Sequence, residues 1–214
     1  MTYCISDIHG CYGTFMKLLD KMQFNPSADT LYILGDAIDR GEQPVECLLF
    51  IKRTNRVHFI LGNHEQMMLD YYDCINDTWR RNGNEITKAR LNSLTEHDRD
   101  AILEYVRTRS YYKTVIVNDK RFFLSHSGLA VGVPFKCQSP CDMVWNREEF
   151  YRKKALQRYT CIFGHTPTSY IRRNDDNAVW IDPVHGDKIC IDCGCVYGGY
   201  LASYRLEDGA VFYC

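Results

Sequence analysis

Three times before residue 65 the chain repeats one arrangement: a short apolar run, a polar residue at its end, and a stretch with helical spacing. Thr2-Tyr3-Cys4-Ile5-Ser6 ends at Asp7, Thr30-Leu31-Tyr32-Ile33-Leu34 ends at Gly35-Asp36, and Val57-His58-Phe59-Ile60-Leu61 ends at Gly62-Asn63-His64. Between the first two runs Phe15, Leu18, Leu19 and Met22 recur at helical intervals, and between the second and third Val45, Leu48, Leu49 and Lys52 do the same. Strands alternating with helices build parallel βαβ units. In such sheets ligands bind beyond the carboxyl ends of the strands, where Asp7, Asp36 and Asn63 all fall.

The rest of the chain reads differently. From about 66 to 112 it is polar and helical, with Thr95-Glu96-His97-Asp98 as a helix start and Ile102, Leu103 and Val106 as an inward stripe. This segment predicts a helical insert beside the site. Residues 113–117 and 121–125 flank Asn118-Asp119-Lys120, a hairpin signal. Further strands are predicted at 160–163, 179–181, 188–192 and 201–206, and Glu207-Asp208-Gly209 turns into a last one at 210–213. The second half therefore predicts a mostly antiparallel or mixed sheet. No low-complexity linker divides the 214 residues, so 1–214 predicts a single domain built on two sheets.

Composition narrows the function classes. Hydrophobic residues make up 45% and charged residues 25%, which is globular and not disordered. A net charge of −1, from 26 Lys+Arg against 27 Asp+Glu, gives no basic footprint for nucleic acid. No apolar run approaches the roughly 18–20 residues that span a bilayer. Met1-Thr2-Tyr3-Cys4-Ile5-Ser6-Asp7 lacks the basic and apolar regions of an export signal. The expectation is a cytoplasmic monomer with no nucleic-acid or membrane partner. Eleven cysteines are an odd count in a chain too long to need staples, which predicts free thiols and no stable disulfide. Cys190-Ile191-Asp192-Cys193-Gly194-Cys195 has knuckle-like spacing, but only Cys137 and Cys141 could complete such a site. Small buried residues are the better reading there.

Five segments carry the chemistry: Asp7-Ile8-His9-Gly10, Gly35-Asp36-Ala37-Ile38-Asp39-Arg40-Gly41, Gly62-Asn63-His64-Glu65, Ser125-His126-Ser127-Gly128 and Gly164-His165-Thr166. Each follows an apolar run and presents a hard oxygen or an imidazole, usually beside a glycine that lets the backbone approach a ligand. One alone would read as a helix cap or a structural histidine. Five in this order do not.

The series resembles the signature of the calcineurin-like metallophosphoesterases, and within them the short bacterial and phage form of the phosphoprotein phosphatase branch. Asp7-Ile8-His9-Gly10-Cys11-Tyr12, the segment from Gly35 to Gly41, and the segment from Ile191 to Gly199 are close to that branch's wording. The resemblance runs from about residue 3 to residue 209. It implies an α/β fold of four layers, two mixed sheets flanked by helices, with two divalent transition-metal ions at the sheet edge. By the resemblance, Asp7 and His9 hold the first metal, Asp36 bridges both, and Asn63, His126 and His165 complete the second. Two carboxylates, an amide oxygen and three imidazoles suit Mn, Fe or Zn better than Ca or Mg, with Mn foremost. A hydroxide bridging the metals is the implied nucleophile, because coordination strongly lowers the pKa of water. His64 is the implied general acid, oriented by Asp39. Arg40 and Arg147 clamp the phosphoryl oxygens with planar guanidinium groups, and Asn63 also meets the substrate.

Some positions depart from the family or stay bland. In Arg81-Asn82-Gly83-Asn84 the last residue replaces a family glycine, and Asn tolerates a positive φ. Asp192 is expected to orient loops and Tyr197 to be a buried strand-end residue. His58 reads as a strand residue, His97 and His185 as exposed.

The reading of function is metal-dependent hydrolysis of phosphomonoesters, foremost phosphoserine and phosphothreonine in proteins, with relaxed activity on phosphotyrosine and aryl phosphates. The alternative is a dinucleoside tetraphosphate hydrolase of the same superfamily. The partner is thus a phosphoprotein or a small phosphoester. Length favours the first reading, since the chain is shorter than typical symmetrical tetraphosphatases. It also lacks the Ser-Ala-Pro-Asn-Tyr loop of eukaryotic protein phosphatases, so subunits that use that loop are not expected. A scaffold that has lost catalysis conflicts with the complete motif set. The rim that separates the two substrates is expected at 66–112 and 131–143.

Overall fold

β1 (Thr2–Ile5), β2 (Thr30–Leu34) and β3 (Val57–Ile60) lie parallel and side by side in chain order, as the three apolar runs predict. The computed structural model describes residues 1–214. Parallel neighbours need a crossover, and α1 (Tyr12–Lys21) and α2 (Pro44–Arg53) supply the two. Pro44 opens α2, where its missing N–H would have had no partner anyway. The sheet is completed from the far end of the chain. β9 (Ala202–Arg205) pairs antiparallel with β1, and β10 (Val211–Tyr213) with β9. The order β10-β9-β1-β2-β3 makes β1 the central strand. The sequence reading assigned these last strands to the second sheet. β9 joins them to β1, about two hundred residues away, and nothing local in the chain marks that pairing.

The second sheet runs β4-β5-β6-β8-β7. It is built from β4 (Tyr112–Val117), β5 (Lys120–Ser125), β6 (Thr160–Phe163), β7 (Trp180–Ile181) and β8 (Lys188–Cys190). Its three middle strands are parallel and its two edges antiparallel, a mixed sheet. Asn118 and Asp119 turn the β4–β5 hairpin with φ of 48° and 61°, the left-handed pair that a two-residue hairpin loop requires.

Side-chain alternation along the strands sorts the core into layers. In the first sheet Tyr3, Ile5, Leu31 and Ile33 face the helices, packing with Phe15, Leu18, Leu48 and Ile51. Cys4, Tyr32 and Leu34 face the other way and meet Phe122, Leu124, Ile162 and Ile189 of the second sheet. The remaining face of the second sheet, with Phe123, Cys161, Phe163 and Cys190, is covered by Leu129, Met143 and Phe150. The result is the four-layer α/β arrangement of two mixed sheets flanked by helices.

The insert is helical from its first residue. α3 (Asn63–Tyr72) grows directly out of the third motif, followed by a 3-10 turn (Thr78–Arg81), α4 (Glu85–Asn92) and α5 (Glu96–Arg107). Thr95 caps α5 by accepting the Asp98 N–H at 3.1 Å, and Ile102, Leu103 and Val106 are its buried face. Three five-residue helices lie in the second half, where the sequence reading named no helix: α6 (Pro140–Val144), α7 (Glu148–Arg152) and α8 (Thr168–Arg172). They are too short for apolar periodicity, although Ser139 and Asp142 form a capping box at the start of α6. All eleven cysteines are free thiols; Cys190 and Cys193 are buried, while Cys137 and Cys141 are exposed. No helix is long and apolar enough to cross a membrane.

Candidate active site

The carboxyl ends of five strands converge on one cluster. Asp7 follows β1, Asp36 follows β2, Asn63 and His64 follow β3, His126 follows β5 and His165 follows β6. All six are buried. Fitting so many polar groups together demands unusual backbone. Asp7, His9, Asp36, Asp39, Arg40 and His165 all have φ between 44° and 71°. For residues with a Cβ the left-handed region costs roughly 1–2 kcal/mol each. Such strain concentrates at functional sites. Two glycines show how close the approach is. A Cβ on Gly62 would lie 2.2 Å from Asp36 Oδ1, and one on Gly164 would lie 2.0 Å from Asp7 Oδ2.

Asp36 is the hub. Its Oδ2 lies 3.5 Å from His9 Nε2 and 3.8 Å from His64 Nε2, while Oδ1 lies 3.4 Å from His126 Nε2. Two groups of ligand-type atoms, His9–Asp36–His64 and Asp36–His126–His165, therefore share this one carboxylate. The His9 and His126 rings are fixed from behind: each Nδ1 donates at 2.8 Å to a backbone carbonyl, of Ile38 and Leu34 respectively. That bond sets the tautomer and turns the Nε2 lone pair inward, as a metal-ligating histidine requires. Asn63 Oδ1 lies between His126 Nε2, at 2.8 Å, and His165 Nδ1, at 2.9 Å. His165 Nε2 is buried without a hydrogen-bond partner. Asp7 stands outside both groups of three, its carboxylate accepting the His165 N–H at 3.0 and 3.2 Å. The sequence reading paired Asp7 with His9 and kept His64 apart, whereas in the fold His64 is the third member of the His9 group.

His64 and Asp39 form a dyad, with Nδ1 2.6 Å from Asp39 Oδ2. Arg40 reaches over the cluster and donates to Nε2 of His9 and, at 2.9 Å, to Nε2 of His64. The insert holds this pair from behind. Trp79 Nε1 donates to Asp39 Oδ2 at 2.7 Å, Thr87 Oγ1 accepts the Asp39 N–H at 3.0 Å, and the Gly83 carbonyl accepts the Arg40 N–H at 2.9 Å. Trp79 and Thr87 were not foreseen, since a tryptophan and a threonine in a polar helical stretch carry no sign of what they touch. Gly83 takes the positive φ of 78°. Asn84 sits at φ −85° as the residue before α4, so its departure from the family pattern needs no special tolerance.

Glu65 is the other residue that sequence reasoning quoted without giving a role. Its carboxylate accepts three backbone N–H groups, from Asp36 at 2.8 Å, Ala37 at 2.9 Å and Gly62 at 3.0 Å. It thereby ties the second motif to the third. Its position at the third residue of α3, three after Gly62, is a capping signal that the sequence does display.

Charge in the cluster is unbalanced. Burial raises the Asp7 carboxyl to about 6 and the Glu65 carboxyl to about 7, with the Asp36 charge adding to both. Burial and then the Asp7 charge push Asp192 well above the carboxylate range. Asp36 itself is held well below that range: burial opposes its charge, but His126 and His64 outweigh it. Conversely His126 is raised to about 10, the Asp36 carboxylate overcoming the effect of burial, while burial lowers His9 to about 3. Buried Asp7 and Asp36, the Asn63 amide oxygen and the imidazoles of His9, His126 and His165 form a donor set that divalent cations would neutralise. The residues present fit a metal pair.

Beside the cluster opens a cleft of about 610 Å³, lined near the cluster by Asp7, His9, Arg40, Arg147 and His165. Arg147 Nη1 lies 3.3 Å from Thr166 Oγ1 and so belongs to the same mouth as Arg40. The outer walls come from 167–177 and 192–199, not from 66–112 or 131–143 as expected. The insert packs its apolar residues, Trp79, Leu91, Ile102 and Leu103, into the helical layer behind the site. Tyr197 is not a buried strand end. It lies in a 3-10 turn, 66% exposed, with the Arg40 guanidinium 5.4 Å from its ring centre. Asp192 accepts the Gly194 N–H at 3.0 Å and its carbonyl accepts the Thr168 N–H at 2.9 Å, which fits a loop-orienting role.

Comparison with known proteins agrees with this geometry. The chain is 36% identical to a symmetrical bis(5'-nucleosyl)-tetraphosphatase of Erwinia tasmaniensis, over 99% of this chain and 96% of that protein. Another relative of that name, from Baumannia cicadellinicola, matches at 30% over only 51% of its own length. Serine/threonine-protein phosphatase 1 of Salmonella typhimurium is 30% identical over 96% of this chain and 91% of its own. Among solved structures, that of a putative diadenosine tetraphosphatase superposes with a TM-score of 0.73 at 19% identity, covering 100% of this chain and 92% of that one, a likeness of fold. The family model for calcineurin-like phosphoesterases matches residues 2–178. With that match across most of its length, the chain belongs to the calcineurin-like phosphoesterase family.

Proposed function

We propose that this chain is a two-metal hydrolase whose substrate is a dinucleoside tetraphosphate, cleaved to two nucleoside diphosphates. The reaction class rests on Asp36, one buried carboxylate shared by two groups of imidazoles. The substrate class rests on the Erwinia tasmaniensis relative, similar over nearly the whole of both chains. This reverses the preference drawn from length. The alignment runs over 271 positions although this chain has 214 residues, so the added length in that relative is largely insertions.

In this reading Asp7, His9 and Asp36 hold one ion, and Asp36, Asn63, His126 and His165 hold the other, with Mn foremost and Fe or Zn as alternatives. When bound, the ions supply Lewis acidity, which charge-stabilises the phosphoryl oxygens and acidifies water near neutral pH. The protein groups do the rest. Arg40 and Arg147 bind the non-bridging oxygens and hold the phosphorus in line with the attacking water. As the water oxygen bonds to phosphorus it gives up a proton to solvent, the bridging P–O bond breaks and its electron pair stays on the leaving diphosphate. Arg40 exchanges His64 Nε2 for the phosphate, and protonated His64 then delivers the Nε2 proton to that leaving oxygen, while Asp39 keeps Nδ1 hydrogen-bonded and the ring oriented. Residues 1–214 act as one catalytic unit, in the cytoplasm and as a monomer.

A second reading, a protein phosphatase acting on phosphoserine and phosphothreonine, is supported by the Salmonella typhimurium relative, which is covered over 91% of its length. Purified protein supplied with Mn²⁺ and offered a dinucleoside tetraphosphate, a phosphoserine peptide and nitrophenyl phosphate separates the two. The proposal expects the highest kcat/KM on the dinucleotide, with nucleoside diphosphate as the only nucleotide product. Preference for the phosphopeptide would establish the second reading instead.

A further inference from the structure

The mechanism uses only some of the residues that line the cleft. Its walls carry two large exposed aromatic residues, Tyr170 and Tyr197, at 77% and 66% exposure. Two exposed aromatic rings lining one cleft beside the phosphate-binding arginines offer an apolar surface for an occupant. The backbone that carries each ring is tied to its neighbours. Tyr170 rides on α8, only five residues after His165; Pro167 precedes that helix and the Thr168 N–H is tied to the Asp192 carbonyl at 2.9 Å. Tyr197 ends a 3-10 turn bracketed by Gly194 and Gly198, both left-handed at φ 72° and 87°. Pro167 and Asn177 lie beside Gly194, within 4.0 Å of where its Cβ would be, so the loops bearing the two tyrosines adjoin.

We propose that Tyr170 and Tyr197 form the stacking platform of a nucleoside subsite, taking the base of a nucleotide whose phosphates meet Arg40 and Arg147. The inference rests on the dinucleotide reading above and deepens it, by naming residues that select a nucleotide over a phosphopeptide. Three observations carry it together. The arginines place positive charge in the cleft, where phosphate belongs. Tyr197 adjoins that charge, with the Arg40 guanidinium 5.4 Å from its ring centre, and Tyr170 lines the same cleft. The volume of about 610 Å³ accommodates a nucleotide and is larger than one aryl phosphate needs. A phosphoserine peptide would offer these rings nothing flat to stack on.

The test is equilibrium binding by calorimetry, on full-length protein with Mn²⁺, of ADP, pyrophosphate, phosphotyrosine and phosphoserine. In the wild type ADP should bind more tightly than pyrophosphate. Base–aromatic stacking sets the size of that advantage, roughly tenfold per ring removed. Tyr170→Ala should reduce the ratio of the two affinities by about that factor, and Tyr170→Trp should preserve it. Because Tyr197 touches Arg40, its variant is compared by the same ratio, which cancels any loss of phosphate affinity. An equal affinity for ADP and pyrophosphate in the wild type would overturn the subsite. So would an unchanged ratio in the Tyr170→Ala/Tyr197→Ala double variant, or an aromatic advantage seen for phosphotyrosine over phosphoserine but not for ADP. These outcomes are separate from the parent reading, which fails if the wild type prefers the phosphopeptide or does not hydrolyse the dinucleotide.

Discussion

At the scale of single residues the site turns on which imidazole does what. His64 lies 3.8 Å from Asp36 and within the His9 group, yet its Nδ1 is committed to Asp39 at 2.6 Å. A proton donor in that position is worth roughly 10² to 10⁴ in rate when the leaving group is a poor one. His64→Asn should therefore keep its metals, lose rate in that range on an alkyl phosphate, and lose much less on nitrophenyl phosphate, whose phenolate departs without a proton. His126→Asn should lose metal and fail on both. Metal analysis beside the two assays decides the matter: a His64 variant as metal-poor as the His126 variant would make His64 a ligand. Glu65 supports a second prediction. Replacing its oxygen by an amide in Glu65→Gln sets an N–H against one of three backbone donors. The cost should be on the order of 2 kcal/mol of folding stability, with weaker Mn²⁺ binding because Asp36 loses its backbone anchor. Unchanged denaturation and Mn²⁺ titration curves would remove Glu65 from the account.

At the scale of elements two features far from the cleft hold the layers. Thr95 caps α5, which packs against α2 and α3, so Thr95→Ala should cost about 1 kcal/mol. Because that loss is remote from the cleft, kcat should not change; urea denaturation and steady-state kinetics read the two separately. In the second sheet Lys188 is fully buried on β8, with Nζ 2.7 Å from Asp182, 2.5 Å from Asp187 and 2.7 Å from the Lys153 carbonyl. Lys188→Met would leave two buried carboxylates without their cation, which costs about 3–5 kcal/mol. A loss below about 1 kcal/mol, in the range of a surface ion pair, would show the carboxylates to be solvated instead.

At the scale of the molecule, what could be read from the chain divides along physical lines. The strand-end motifs were legible because glycine, a hard oxygen and an apolar run sit together in sequence, and the fold only has to bring the ends side by side. The four layers were read only from the family resemblance, and the alternation of Tyr3 and Ile5 against Cys4 gives them their physical reason. Roles that depend on distant packing were not. Trp79 and Thr87 become supports of Asp39 only when the insert folds behind the second motif. For the same reason the insert was mistaken for the cleft rim, and β9 and β10 were placed in the wrong sheet. Tyr197 was misread because its 3-10 turn interrupts what looks like the end of a strand. All of these placements leave one claim at the centre, that Asp36 serves two metal ions at once. It is tested most directly by stripping the protein with chelator and titrating Mn²⁺ into wild type and Asp36→Asn while counting bound ions and turnover. The account predicts two ions and full recovery in the wild type, against at most one ion and no useful turnover in Asp36→Asn. Two ions with normal turnover in Asp36→Asn would contradict it.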